Sequence, residues 1–266
     1  MRLFTGYNDV RIIADEQAVP AFERLGEALA SLSNELILGT DFRQSGAKLA
    51  KAIAKGFGKQ VAFAGALPTP AIAWSARKLG VAITASHNPR EYNGAKFFRE
   101  KTCFLAKEMH SLQKIFGQSL EFNSRKAIEL REDDEIKKNY VEALPEIRNG
   151  VFDLCGGAVC AIKEVFPKTI YSNPDAFFEL HNPDPAEDEL NELRRKTIES
   201  KEIGFAFDGD GDRVVAVDGG KKIPGDVIAC FVARNFTASW LETSSGSSIP
   251  ISIYPSSFPK GTMRYV

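Results

Sequence analysis

Short apolar runs alternate with helical patterns in the first part of the chain. The apolar runs predict β-strands at residues 36–38, 61–63 and 81–83. Between them, apolar residues at helical spacing predict one helix that is capped by Ser45 and ends near Gly58. A second helix is predicted from Thr69 toward Leu79. Strands that alternate with helices in this way favour a largely parallel sheet with helices on both faces.

The same pattern starts again after a charged stretch at residues 131–135, a predicted helix to Leu144 and then Pro145. Strands are predicted at residues 151–154, 169–171, 203–207 and 214–217. Helices are predicted to end at Phe166 and to cover residues 186–200 and 226–236. We therefore expect an α/β protein of two similar domains, each with a mixed, largely parallel sheet flanked by helices.

The change of pattern near Pro145 places the two predicted domains at residues 1–143 and 145–236. From Thr237 onward, serine and proline are scattered through the sequence without a sustained period. Such composition favours segments that bury too little apolar surface to fold on their own. Residues 237–266 are therefore predicted to be an irregular tail or the remnant of a third domain.

Composition excludes several classes of partner. The 266 residues carry 34 Lys and Arg against 35 Asp and Glu, a formal net charge of −1, and the basic residues are spread along the chain. This distribution predicts no nucleic-acid binding. No apolar stretch approaches the roughly 18 residues of a membrane span, and the first residues lack a secretory core, so we expect a cytoplasmic protein without membrane contact.

Two short loops carry the candidate chemistry. We call residues 84–89 (TASHNP) the serine loop and residues 208–213 (DGDGDR) the aspartate loop, and each follows a predicted strand. Asp208, Asp210 and Asp212 alternate with glycines, so a bending backbone can turn all three carboxylates toward one point. Three carboxylates that leave positions free for phosphate or water suit Mg²⁺.

Ser86 is the candidate nucleophile of the serine loop. A hydrolase elbow needs glycine two residues before and after the serine, but Thr84 and Asn88 stand there, which disfavours an acyl-transfer triad. A role as phosphoryl carrier remains, with a cation holding the phosphate. Lys96 follows a predicted turn and lies within reach of the same cavity, where it can serve as an acid or base or remain a solvated surface lysine.

Other interpretations of the aspartate loop differ in strength. An EF-hand is disfavoured, because Arg213 and Gly219 occupy the positions that need glycine and a bidentate glutamate. An aspartyl-phosphate phosphatase could use Asp208 as nucleophile, since an apolar strand precedes it. A metal-free acidic turn and a noncatalytic phosphate-binding or interaction protein also remain open.

Taken together, the two loops resemble those of the α-D-phosphohexomutases, the family of phosphoglucomutase, phosphomannomutase and phosphoglucosamine mutase. The resemblance covers residues 1–236 and includes residues 39–46, Tyr92-Asn93-Gly94 followed by Lys96, and Asn182-Pro183. It implies that Ser86 is the phosphorylated serine and a Mg²⁺ ligand beside the three aspartates. It also implies that Lys96 is the general acid or base, and that the residues assisting phosphoryl transfer are His87, Arg11 and Arg213.

The reaction implied by this resemblance is an intramolecular phosphotransfer, an isomerisation. Phospho-Ser86 gives its group to a hexose phosphate, the hexose 1,6-bisphosphate reorients, and the other phosphate returns to Ser86. Two features depart from the family. The segment around Arg11 lacks the usual flanking glycines, and neither the sugar-recognition loop nor the C-terminal phosphate-binding loop is found. We therefore expect a chain truncated to the first two domains, with impaired activity and a tail that is either native or frameshifted.

Overall fold

The computed structural model describes residues 3–5, 9–118, 129–235, 241–242 and 248–249. The first part contains β1 (Asp9–Ile13), α1 (Ala18–Ala30), β2 (Glu35–Thr40), α2 (Gly46–Phe57), β3 (Gln60–Ala66), α3 (Thr69–Ser75), β4 (Gly80–Ile83), β5 (Tyr92–Arg99), β6 (Thr102–Cys103), α4 (Ala106–Gly117) and α5 (Asp134–Ala143). The second part contains β7 (Val151–Asp153), a 3-10 helix (Ala158–Val165), β8 (Thr169–Ile170), α6 (Asn191–Ser200), β9 (Gly204–Phe207), β10 (Val214–Asp218), β11 (Lys221–Ile223), α7 (Gly225–Asn235), β12 (Leu241–Glu242) and β13 (Ser248–Ile249).

Two mixed sheets organise these elements. The first has the order β1-β5-β4-β2-β3, with β6 beside β5, and the second has the order β11-β10-β9-β7-β8. Within the first sheet, β2 runs parallel to β3 and β4; within the second, β7 runs parallel to β8 and β9. Antiparallel strands complete each sheet on one side. This arrangement confirms the predicted α/β class with mixed sheets flanked by helices.

Alternate residues of the central strands face two different cores. Val81 of β4 and Phe97 of β5 lie in a core that includes Phe22 of α1 and Ile53 of α2. Their neighbours Ala82 and Phe98 face the other side of the sheet. Because side chains of a strand alternate between faces, helices can cover both sides of the sheet, as the sequence predicted.

The second core joins the two sheets. Ala82 and Phe98 lie in one hydrophobic cluster with Phe152 and Leu154, which come from β7 and the residue after it. Helix α5 packs beside this cluster, where the Tyr140 ring meets Trp74 edge to face at a centroid distance of 5.9 Å. The division into domains at residues 1–143 and 145–236 stays a prediction. Apart from the short β12–β13 pair, the predicted tail at residues 237–266 lies outside the described residues.

Several predicted boundaries were wrong for local reasons. Ser45 precedes α2 but its side chain does not cap the helix; its hydroxyl oxygen accepts a hydrogen bond from Asn93 Nδ2 at 2.8 Å. Helix α3 ends at Ser75 rather than near Leu79. The helix expected from residue 186 begins only at Asn191. Before it, the Asp188 carboxylate accepts hydrogen bonds from the backbone N–H groups of residues 182 and 190, which holds the chain in a loop.

Membrane insertion has no support in the described ranges, since none of their helices combines the length and the apolar character that crossing a bilayer requires. The cytoplasmic location stays a prediction.

Substitution of Gly56 tests the close packing of α1 on α2. A Cβ atom at this position would lie 1.8 Å from the backbone oxygen of Glu23, so the two helices would have to separate. We expect Gly56→Ala to lower the free energy of unfolding by about 1–3 kcal/mol in urea denaturation. Gly117→Ala is the control, because a Cβ atom there meets nothing within 4 Å at the end of α4. Equal stability of the two variants would contradict the packing described here.

Candidate active site

The serine loop and the aspartate loop meet at the carboxyl ends of two strands. The serine loop follows β4 and the aspartate loop follows β9, which belong to different sheets. Ser86 Oγ donates a hydrogen bond to Asp208 Oδ2 at 2.7 Å, although the two residues are 122 positions apart. The structure therefore brings the candidate nucleophile and the carboxylates into one site.

Ser86 sits in a constrained backbone conformation. Its φ is 54°, in the left-handed region that non-glycine residues adopt rarely, and the residue is fully buried. The backbone N–H of Ser86 donates to Thr84 Oγ1 at 2.8 Å, and its backbone oxygen accepts from Arg43 Nη2 at 2.9 Å. Residues keep such conformations only where surrounding contacts fix them, and such positions cluster at functional sites.

Arg43 fixes the serine loop through hydrogen bonds to its backbone oxygens. Its side chain is fully buried, and its Nε donates to Asp41 Oδ2 at 3.2 Å. Its other donors reach four backbone oxygens, those of Ser86, Asn88, Pro89 and Tyr92. Burial raises the pKa of Asp41 to about 6 despite the opposing effect of Arg43, and burial lowers the pKa of Arg43. A guanidinium fork with five N–H donors can serve all of these acceptors. A simple ion pair with Asp41 would not need so many donors.

The aspartate loop presents three carboxylates that could hold one metal ion. Oxygens of Asp208, Asp210 and Asp212 lie within 4.8 Å of one another, and Asp208 and Asp210 are buried. Gly209 is needed for this approach, because a Cβ atom there would lie 2.7 Å from the backbone oxygen of Ser86. Burial and, to a smaller extent, repulsion from Asp210 and Asp212 raise the pKa of Asp208 well above its usual range.

Lys96 is the cation nearest to this cluster that the structure describes. Its Nζ lies 2.8 Å from Asp210 Oδ2 and 2.5 Å from Asp212 Oδ2. Strand pairing explains its position, since Lys96 of β5 lies opposite Ala82 at the end of β4. Burial alone would lower the pKa of Lys96, but the two carboxylates outweigh it and raise the pKa. Lys96 and Thr69 likewise hold the pKa of Asp210 below its usual range against the effect of burial.

The donor set fits a hard divalent cation. Asp210 Oδ1 is buried and has no hydrogen-bond partner within the described ranges, although its other oxygen accepts from Lys96 and Thr69. A buried carboxylate oxygen without a partner is costly unless a cation or water satisfies it. Three carboxylate ligands that leave coordination positions open are the environment that Mg²⁺ or Ca²⁺ prefers.

The remaining predicted site residues surround Ser86 in different ways. His87 Nδ1 lies 3.4 Å from Ser86 Oγ. Burial and, to a smaller extent, the positive charge of Arg213 lower the pKa of His87. Arg11 Nη1 donates to the backbone oxygen of Ala85 at 2.8 Å, so Arg11 supports the loop rather than the hydroxyl. Arg213 is exposed, and its backbone N–H donates to Asp208 Oδ1 at 3.0 Å. Of the five predicted catalytic residues, Ser86, Lys96 and the Arg213 backbone thus contact the aspartate cluster, whereas His87 and Arg11 contact the serine loop.

Two residues of the site were not identified as functional from the sequence. Thr69 Oγ1 donates to Asp210 Oδ2 at 2.5 Å, and the Thr69 backbone N–H donates to the Asp210 backbone oxygen at 2.9 Å. The sequence marked Thr69 only as the start of a helix. The sequence placed Arg43 at a strand end, where an ion pair with Asp41 explained it equally well. Its carbonyl acceptors could not be foreseen, because they lie in the serine loop and at the start of β5.

Comparisons with known proteins agree with this geometry. Residues 2–121 match the family described as "Phosphoglucomutase/phosphomannomutase, alpha/beta/alpha domain I". The chain is 33% identical over 270 residues to a phosphoglucosamine mutase of Clostridium kluyveri, covering 88% of this chain and 60% of that protein. It is also 33% identical over 261 residues to a phosphoglucomutase/phosphomannomutase of Thermococcus kodakarensis, covering 84% of this chain and 57% of that protein.

A solved structure shares the fold over the same region. The phosphoglucomutase/phosphomannomutase family protein of Burkholderia thailandensis superimposes with a TM-score of 0.70 at 25% identity, covering 87% of this chain and 59% of that chain. Among the first curated relatives, this chain spans between 56% and 60% of their length.

Replacing Arg43 by lysine tests how the serine loop is fixed. Lysine keeps the positive charge but has a single nitrogen and cannot reach four carbonyl oxygens at once. We expect Arg43→Lys to lower the free energy of unfolding by roughly 2–4 kcal/mol, because buried carbonyls lose their donors. The control is Arg148→Lys, where the arginine is exposed and its described partner is Glu146. Unchanged stability of Arg43→Lys in chemical denaturation would refute the role of the fork.

Proposed function

Because the chain belongs to the family of phosphoglucomutases and phosphomannomutases, we propose that it transfers a phosphoryl group to and from a hexose phosphate through Ser86, with Mg²⁺ as cofactor. The observation that carries this proposal is the contact of 2.7 Å between Ser86 Oγ and Asp208 Oδ2, inside a cluster of three carboxylates. The reaction is an intramolecular phosphotransfer, and its substrates are a hexose phosphate and a hexose 1,6-bisphosphate.

Four oxygen-bearing residues would hold the metal. They are the three aspartates of the loop and Ser86, whose hydroxyl already lies against Asp208. When bound there, Mg²⁺ offsets the negative charge of the phosphoryl group during transfer. The unpartnered Asp210 Oδ1 supports this assignment, because it is a buried ligand atom that no described residue uses.

Transfer begins from Ser86 in its phosphorylated form. A sugar hydroxyl attacks phosphorus, the bond between phosphorus and Ser86 Oγ breaks, and Oγ keeps the electron pair and is protonated. The bisphosphate then reorients, and Ser86 Oγ attacks its other phosphate. In this return step the sugar oxygen leaves phosphorus. In each step Lys96 Nζ, held as an ammonium between Asp210 and Asp212, donates a proton to the leaving oxygen and regains one from the attacking hydroxyl. Asp210 and Asp212 hold Lys96 Nζ beside the carboxylate cluster by hydrogen bonds.

The rest of the site would position the transferred group. Arg43 and Arg11 donate to backbone oxygens of the serine loop, which fixes the direction of Ser86. The imidazole of His87 lies beside Ser86, and the charge of the exposed Arg213 acts on His87. Both side chains could donate to phosphate oxygens. Positioning of this kind, together with electrostatic stabilisation, supplies most of the acceleration in phosphoryl transfer.

An aspartyl-phosphate phosphatase is less well supported. Asp208 would be its nucleophile, but both of its oxygens already accept hydrogen bonds. Oδ1 takes the backbone N–H groups of Asp212 and Arg213, and Oδ2 takes the Ser86 hydroxyl. A nucleophilic carboxylate needs an oxygen free to attack phosphorus. Among the contacts that the structure describes, Ser86 Oγ makes one hydrogen bond, to Asp208, and a longer approach to His87.

The phosphoryl carrier can be identified by intact mass. After incubation of the full chain with glucose 1,6-bisphosphate and MgCl₂, we expect wild type and the control Ser111→Ala to gain the mass of one phosphoryl group. Ser111 lies on the exposed face of α4 and serves as a matched serine. Ser86→Ala should show no gain. A gain that persists in Ser86→Ala would favour the aspartyl-phosphate mechanism, and no gain in wild type would favour a noncatalytic phosphate-binding protein.

The metal assignment can be tested by calorimetric titration with MgCl₂. Asp210→Asn removes one negative charge and replaces one carboxylate oxygen by an NH2 group, so we expect Mg²⁺ binding to weaken by more than about tenfold. Asp218→Asn, at the exposed end of β10, removes the same charge away from the cluster and should bind as wild type does. Equal affinities of the two variants would argue against Asp210 as a ligand.

A further inference from the structure

One loop segment that follows the second sheet's strand β8 contacts both the serine loop's anchor and the aspartate loop. We call residues 173–183 the strap; it leads from β8 toward α6. The ring of Phe178 lies over the guanidinium of Arg43, with 5.2 Å from the guanidinium carbon to the ring centroid. The same ring stands next to Gly209, since a Cβ atom there would lie 3.0 Å from Phe178 Cζ. The strap therefore touches the residue that fixes the serine loop and the backbone of the aspartate loop.

Hydrogen bonds fix the strap at both ends. Near its start, the Asp175 backbone N–H donates to the Gly156 backbone oxygen at 2.8 Å, and the Asp175 carboxylate closes a turn by accepting from the N–H groups of Phe177 and Glu179. At its end, the Pro183 backbone oxygen accepts from the N–H of Gly209 at 3.2 Å. Between Phe178 and Pro183, the only strap side chain that the structure shows buried is His181, with 8% of its surface exposed.

Both ring nitrogens of His181 face acceptors. Nε2 lies 3.0 Å from Asp153 Oδ2, and Nδ1 lies 2.6 Å from the backbone oxygen of Asn182. A neutral imidazole carries one N–H, so either tautomer would leave a nitrogen lone pair against an oxygen. An imidazolium donates at both positions. Since the Asp153 carboxylate is also buried and accepts the Cys155 N–H, a charged His181 gives it the partner that a buried carboxylate needs.

The surroundings of His181 favour the charged form. Asp153 faces it from β7, Asp188 faces it from the loop before α6, and the Tyr171 ring meets it edge to face at 4.9 Å. Burial alone would lower the pKa of His181, but the hydrogen bond and charge of Asp153 outweigh burial and raise the pKa above 6.5.

We propose that His181 is a positioning residue that acts as an imidazolium, bridging Asp153 and the Asn182 carbonyl so that the strap holds the serine loop against the aspartate loop. The catalytic consequence of this positioning rests on the proposed function, whereas the protonation of His181 and the order of the two loops do not. His181 touches neither the nucleophile nor the candidate metal ligands within the described contacts; it acts through Pro183 and Phe178.

The proposal has a defined pH dependence. A pKa raised in the folded state means that the folded protein binds the proton more tightly than the unfolded chain. The stabilisation is fully present below the unfolded value of about 6.5 and is lost as pH rises through the folded pKa. We expect the unfolding free energy of wild type to fall over that window and the fall to be absent in His181→Gln.

The direct test is the protonation state of His181 in the full wild-type chain. The sequence has only three histidines, so a long-range ¹H–¹⁵N spectrum of the imidazoles can be assigned with His181→Gln and His110→Gln. At pH 6.5, where an ordinary imidazole is about half protonated, we expect most His181 side chains to carry a proton on both nitrogens. A neutral Nδ1–H tautomer, with the proton on Asp153, would overturn the proposal.

Hydrogen exchange measures the positioning itself, without metal or substrate. At neutral pH we expect peptides covering residues 84–89 and 208–213 to exchange at least about tenfold faster in His181→Gln than in wild type. His110→Gln, on the exposed face of α4, should exchange as wild type does. Unchanged exchange in His181→Gln would refute the positioning role. Because neither readout needs phosphoryl transfer, a failure of the proposed function would leave both outcomes interpretable.

Discussion

Three carboxylates within 4.8 Å of one another set the central physical constraint on this protein. Like charges at this spacing repel strongly when burial removes the screening of water. The fold offsets the repulsion in part: Lys96 pairs with Asp210 and Asp212, and backbone N–H groups together with Ser86 bind Asp208. Asp210 Oδ1 still lacks a hydrogen-bond partner among the described residues, so the proposed Mg²⁺ would complete the arrangement.

The site needs two loops from two sheets to stay in contact. A shared hydrophobic cluster joins the sheets, with Phe98 and Ile72 on one side and Phe152 and Leu154 on the other. Arg43 then fixes the serine loop through backbone oxygens. Gly209 allows the aspartate loop to approach, because a side chain there would collide with the Ser86 backbone oxygen. Packing therefore places Ser86 Oγ against a carboxylate.

The sequence predicted the parts of the site that depend on local pattern. Apolar runs marked the strands that lead to Ser86 and Asp208, and the alternating glycines marked the bend of the aspartate loop. It did not predict the role of Thr69, whose partner Asp210 is 141 residues away, or that of Arg43, whose acceptors follow a different strand. The predicted start of α6 at residue 186 was wrong, because hydrogen bonds of the Asp188 carboxylate hold residues 182–190 in a loop. The long-range contacts of Thr69 and Arg43 leave no periodic signal in the sequence.

The claim that both loops form one phosphoryl-transfer site can be tested by ³¹P NMR of the phosphorylated chain with Mn²⁺ in place of Mg²⁺. Mn²⁺ uses the same oxygen ligands and relaxes nearby nuclei. The account predicts that substoichiometric Mn²⁺ broadens the phosphoserine resonance of Ser86 and that excess Mg²⁺ restores it. A resonance that stays sharp while Mn²⁺ is bound to the aspartate loop would show that phosphate and metal occupy separate sites, which would contradict the account.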